Sequence, residues 1–201
     1  MQEGYILSSV YKESLIELHR LHDAGPDTTQ SQKLWEPGPF EELYDIQSDP
    51  HEQYNVANHQ DHASLKACLV KQLKNWIIET RDSGFLIELE MHRRAITANS
   101  AQHKILSNAE THPIEGILAA ADQASRPGSK LLQGGNDPAL DFWAIQQRII
   151  RNDSSDVSRR VLKTKLASDT PTVRTAAAEA LVRLGDKDAA IPVFRELLAM
   201  P

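Results

Sequence analysis

Between Pro138 and Pro201 the sequence resembles itself at an offset of 33 residues. Pro138-Ala139-Leu140 matches Pro171-Thr172-Val173, and at the same offset Ala144 falls on Ala177, Ile149 on Val182, Asn152 on Gly185 and Asp153 on Asp186. The second half of each unit fits after a one-residue slip, which sets Leu162 on Phe194 and Leu166 on Leu198. A period of this length, built of two helices per unit, is the mark of an α-solenoid. The later copy is the easier to read. Asp169-x-Pro171-x-Val173-Arg174 opens a helix, with an acid near its positive end and a proline fixing the first turn. Ala176, Ala177, Ala180 and Leu181 give a small-residue face for close packing, and Gly185-Asp186 turns the chain. Ile191, Val193 or Phe194, Leu197 and Leu198 then return an apolar face. Arg174 and Arg183 are expected in solvent. One such unit cannot bury its own faces and must stack on a neighbour.

Upstream, Tyr11, Leu15, Leu18 and His22 recur at helical spacing and predict a helix over 8–22, ended by Gly25-Pro26. Residues 27–33 read as a loop, and Pro37-Gly38-Pro39 excludes regular structure. Glu42-Leu43-Tyr44-Asp45-Ile46 alternates polar and apolar, the pattern of a short strand with one buried face, stopped by Ser48-Asp49-Pro50. A second helix is expected from about Asp61 to Thr80, with Leu65, Cys68, Leu69, Leu73, Trp76 and Ile77 as its buried stripe and its lysines in solvent. Residues 87–108 read as a partly helical linker, and 114–124 as a helix whose first turn tolerates Pro113.

The chain has 201 residues, 22 Lys+Arg against 28 Asp+Glu, and a net charge of -6. Dispersed cations on an acidic chain argue against nucleic-acid binding, and no apolar run approaches the roughly 20 residues of a membrane span. Cys68 is the only cysteine. It allows no intrachain disulfide and is expected as a buried core thiol rather than a nucleophile.

Two segments carry a family likeness. Glu41-Glu42-Leu43-Tyr44-Asp45-Ile46-Gln47-Ser48-Asp49-Pro50-His51-Glu52-Gln53-Tyr54-Asn55-Val56-Ala57 resembles a motif near the C-terminus of sulfatases, with Val56 where leucine is usual. Trp76-Ile77-Ile78-Glu79-Thr80-Arg81-Asp82-Ser83-Gly84-Phe85 and Leu18-His19-Arg20-Leu21-His22-Asp23-Ala24-Gly25 are similar to flanking segments of bacterial members. The tail resembles short HEAT-like repeats. The resemblance implies a mainly α chain with a small β element. Residues 1–91 would form a sulfatase C-terminal subdomain of short antiparallel strands plus helices. Residues 92–112 would be a linker, and 113–201 a HEAT-type solenoid.

Sulfatases use a formylglycine made within a Cys/Ser-x-Pro-x-Arg motif, beside a calcium ion. Cys68 is followed by Leu69-Val70 and no Ser-x-Pro-x-Arg occurs, so the resemblance transfers no catalytic, cofactor-binding or metal-binding residue to this chain. The expectation is a C-terminal fragment of a sulfatase-family hydrolase, structural or accessory and inactive alone. Its partner would be a sulfatase catalytic core in cis or another protein, with no nucleic acid and no membrane. A free-standing helical-repeat interaction module is the alternative, and a sulfated-glycan binder fits the acidic balance poorly. No export signal is visible at Met1, although the family is often periplasmic or extracellular.

The remaining constellations have plainer readings. His19/His22 and His59/His62 are spaced three apart, but lack further zinc ligands at suitable spacing and read as solvated or capping groups. Asp45, Asp49 and Glu52 lack calcium-loop spacing and read as turn or cap residues. Tyr44 and Trp76 read as core aromatics rather than a sugar-stacking platform. Arg159-Arg160 and Lys163-x-Lys165 read as a solvated basic face.

Overall fold

The computed structural model describes residues 12–25, 35 and 38–199. It divides into two compact units, Met1–Cys68 and Leu69–Pro201. In the first unit, α1 spans Lys12–Asp23, and Gly25 at φ +110° ends it. The start of the expected first helix, and residues 26–34, lie outside the described residues.

The expected strand at 42–46 is absent, and no strand occurs among the described residues. Alternation alone cannot make a strand without a backbone partner, and here a side chain takes the partner's place. Asn55 accepts the Leu43 N–H at 3.0 Å and the Ala57 N–H at 2.9 Å through Oδ1, and donates to the Glu41 carbonyl at 3.0 Å. One backbone bond, from the Val56 N–H to the Leu43 carbonyl at 2.8 Å, joins the same stretches. The small β element is therefore replaced by an asparagine-clamped loop.

A 3-10 turn at Gln60–His62 leads into α2, Ala63–Thr80. This helix reverses its expected orientation. Of the stripe, Ile77 alone is buried, while Leu65, Cys68, Leu69, Leu73 and Trp76 are exposed. The lysine-bearing side is the anchored one: Lys66 pairs with Glu41 at 3.0 Å and Lys74 with Asp122 at 2.9 Å. Two partly shielded ion pairs, together with Ile77 and Ile78 packed on Ile114, Leu118 and Phe85, fix the helix by that side.

The second unit continues with α3 (Glu88–Thr97), α4 (Gln102–Ser107), α5 (Ile114–Ser125), α6 (Pro138–Ile150), α7 (Asp156–Lys165), α8 (Pro171–Arg183) and α9 (Lys187–Leu198). Helices α6 and α8 are each 13 residues long, and both start on a proline. Both end in the same pairing: Asn152 N–H to the Ile149 carbonyl and Asp153 N–H to that of Arg148, against Gly185 to Val182 and Asp186 to Leu181. Asn152 (φ +48°) and Gly185 (φ +86°) supply the left-handed residue this C-cap requires. The internal offset in sequence thus corresponds to equal helices with equal caps. Helix α8 packs against α6, α7 and α9. Neighbours on several sides leave room only for small side chains, and Ala176, Ala177, Ala178 and Ala180 are all buried. Val173, Leu181, Leu184, Leu162, Ile145 and Ala190 complete the cluster, with Val193 and Phe194 of α9 against it. Leu198 is exposed, contrary to its expected inward position. Arg174 is largely covered and donates to Glu196 at 2.6 Å, where a solvated side chain was expected.

Residues 92–112 hold some of the most buried polar groups. Arg94 donates to Glu90 at 2.8 Å, to the Thr111 carbonyl at 2.7 Å and to Asp137, which caps α6 by accepting the Ala139 N–H at 2.8 Å. Arg81 closes the C-terminus of α2 in left-handed backbone, φ +54°, and its guanidinium donates to the carbonyls of Leu106 and His112. That backbone region costs a non-glycine residue about 1–2 kcal/mol, which the two side-chain bonds offset. His112 is fully buried, with Nε2 3.2 Å from the Asp82 carbonyl and Nδ1 without a partner.

Two outcomes follow from this packing. Leu181→Ala removes a fully buried side chain and should cost about 2–5 kcal/mol. Arg183→Ala, which loses only an exposed pair with Glu179, should cost about 0.5 kcal/mol or less. Chemical denaturation followed by circular dichroism distinguishes them, and equal midpoints would contradict the assigned core. Burial lowers the pKa of His112, with Arg81 and Arg94 adding to the effect. The unfolded chain therefore takes up a proton near pH 6.5 that the folded chain refuses, so stability is complete above that pH and declines below it. Between about pH 7 and 5 the denaturation midpoint of the native chain should fall more steeply than that of His112→Gln. Identical pH slopes would contradict it.

Candidate functional site

The residues singled out by sequence are distributed over structural roles rather than gathered at one centre. In the first unit, His19 and His22 both lie against Trp35, with ring centroids 4.5 Å apart in each case. Asp45 accepts the Ser48 hydroxyl at 2.8 Å and the Gln47 N–H at 3.1 Å, and these bonds lower its pKa. Asp49 accepts the Tyr54 N–H at 2.8 Å, and Glu52 takes a left-handed turn position at φ +52°. Tyr44 is half-buried. Partial desolvation raises its phenol pKa, and the carboxylates of Glu42, Glu52 and Asp49 add to the rise. The acids of this segment thus form its turns. His59 and His62 stand 6.1 Å apart, with Asp61 3.9 Å from His59.

In the second unit most basic residues of α7 have partners on neighbouring elements. Arg159 donates to the Leu184 carbonyl at 2.7 Å, Lys163 to Asp186 at 2.7 Å and Lys165 to Asp141 at 2.6 Å. The Lys163 bond lowers the pKa of Asp186. A solvated basic face was expected there; three of its four cations instead tie α7 to its neighbours.

Several determining residues had no assigned role in the sequence reading: Arg81, Arg94, His112, Gln147 and Arg148. The Glu90/Arg94 spacing of four was a usable signal for an ion pair on α3. The others act over long separations and left none. Gln147 and Arg148 bind the loop between α5 and α6. Gln147 accepts the Leu132 N–H at 2.6 Å and donates to the carbonyls of Gln123 and Lys130 at 3.1 and 3.0 Å. Arg148 donates to the carbonyls of Leu132 at 3.0 Å and Ala144 at 2.7 Å, and burial lowers its pKa.

The clefts of this unit are shallow. One of about 560 Å³ lies between Lys74, Ile78, Leu118, Asp122, Arg126 and Lys130. Of its two carboxylates, Glu115 and Asp122, the latter is bound by Lys74 at 2.9 Å and by Arg126 at 3.0 Å. Another, of about 390 Å³, opens beside Arg94, Glu110 and Asp137. Among the described residues no three His, Cys, Asp or Glu side chains converge as a metal site requires, and no helix is long and apolar enough to cross a membrane. Cys68 lies on the exposed side of α2, not in a core.

No family model matches the chain, and no solved structure matches it. Two curated proteins do, both ulvan-active sulfatases of Formosa agariphila. One is 51% identical over 39 residues, 19% of this chain and 8% of that protein. The other is 28% identical over 141 residues, 67% of this chain and 24% of that protein. The chain thus spans at most about a quarter of the curated relatives it matches. It contains a sulfatase-related region.

Proposed function

We propose that this chain is an accessory, non-catalytic part of a sulfatase-type system, acting beside a sulfatase catalytic body supplied in cis or by another protein. The similarity that extends over 67% of the chain to an ulvan-active sulfatase carries this reading. The chain's own groups fit it. Sulfate-ester hydrolysis requires an activated nucleophile and electrostatic stabilisation of the departing group. The one cysteine lies in Ala67-Cys68-Leu69-Val70, without the proline and arginine of a formylglycine motif, and the acids of the Asn55 loop are spent on turns. Formylglycine and calcium would then belong to the catalytic body. Ulvan, named for the relatives, is the substrate such an assembly would address.

The purified chain should show no turnover of an aryl sulfate, with or without calcium. Metal-dependent turnover that Cys68→Ala abolishes would overturn the proposal.

A further inference from the structure

Helices α7 and α9 hold the same place in two successive helix pairs, and they differ in what covers them. With the one-residue slip that sets Leu162 on Phe194, Ser158 falls on Ala190, Val161 on Val193 and Lys165 on Leu197, and both members of every pair are buried or half-buried. The inner faces of the two helices are therefore in register. The same register sets Arg159 on Ile191, Lys163 on Arg195 and Leu166 on Leu198. On α7 these positions receive the following pair. Arg159 donates to the Leu184 carbonyl at 2.7 Å and Lys163 to Asp186 at 2.7 Å, both in the turn from α8 to α9, while Leu166 packs against the cluster that α8 dominates. On α9 the equivalent positions are uncovered. Ile191 is 42% and Leu198 86% exposed. Arg195, also exposed, has no ion-pair partner among the described residues.

We propose that this outer face of α9 is a docking surface for one more helix pair of the α8–α9 kind, joined in cis behind α9 as α8 is joined behind α7. The face continues an interface the chain already makes, at the same positions of the equivalent helix. It keeps a cation where Lys163 meets Asp186. An acid stands at that turn position in both pairs, as Asp153 and Asp186, so an incoming turn of the same kind brings the carboxylate that Arg195 lacks. Ile191 and Leu198 make the face apolar, whereas the closing unit of a repeat array carries a polar outer face. Thr175, exposed on α8 where α6 has Phe142, adds little apolar surface, so α9 supplies most of the contact. This inference does not depend on the sulfatase reading.

The test is a chain in which residues 167–199 are repeated directly after Leu198, so that the added pair follows α9 through the loop that joins α8 to α7. Chemical denaturation followed by circular dichroism should show a higher midpoint without an added transition, because the units of an array stabilise one another through their interfaces. In the unextended chain, Leu198→Glu alters an exposed side chain and should leave the midpoint in place. In the extended chain the same substitution at Leu198 should remove the gain. Ile191→Asp serves in its place should Leu198→Glu disturb the unextended fold. An added pair that unfolds separately, raises no midpoint, or keeps its gain through both substitutions overturns the proposal. So does an unextended chain that dimerises in sedimentation velocity and loses the dimer with Leu198→Glu, since a second copy is then the occupant.

Discussion

Arginines bonded to backbone carbonyls, two of them buried, hold the second unit together. Without strands, the segments between its helices have no ladder in which to satisfy their polar groups, and burying those groups unpaired would cost about 1–3 kcal/mol each. Arg81 reaches the carbonyls of Leu106 and His112, Arg94 that of Thr111, and Arg148 that of Leu132. A guanidinium suits this work because it carries several donors on one rigid plane. Arg94 goes furthest: through Asp137 it also ties α3 to the N-terminus of α6. The cost of burying the cation is met by Glu90, itself fully buried.

Around that frame the helices pack by two different devices. The alanine run of α8 lets three neighbours approach one helix closely, so that a segment of unremarkable hydrophobicity becomes the most buried in the molecule. Helix α2 does the opposite. Its most apolar side is left in solvent while ion pairs and two isoleucines anchor the other.

The sequence was most legible where local chemistry suffices. Proline starts and left-handed stops set the ends of α6 and α8, and the offset of those signals anticipated two helices of equal length with equal caps. The burial of Leu181 followed from helical phase. Reading failed where a decision depended on residues far along the chain. The alternation at 42–46 was genuine, yet Asn55, twelve residues from Leu43, took the place of a strand. The stripe of α2 was genuine too, but periodicity identifies a face without saying what meets it. The basic residues of α7 looked solvated because their partners come from elsewhere in the chain, Asp141 from α6 and Leu184 and Asp186 from the turn between α8 and α9.

By itself, the sequence determined α5, the ends of α6 and α8, and the sulfatase-like segment around Asn55, because propensity, capping and short motifs act within a few residues. Tertiary structure alone decided which side of α2 is buried, that the Asn55 segment is a clamped loop, and that His112 is buried with its pKa lowered. Burial and long-range hydrogen bonds are properties of a packed chain, and no local pattern encodes which distant partner will be present.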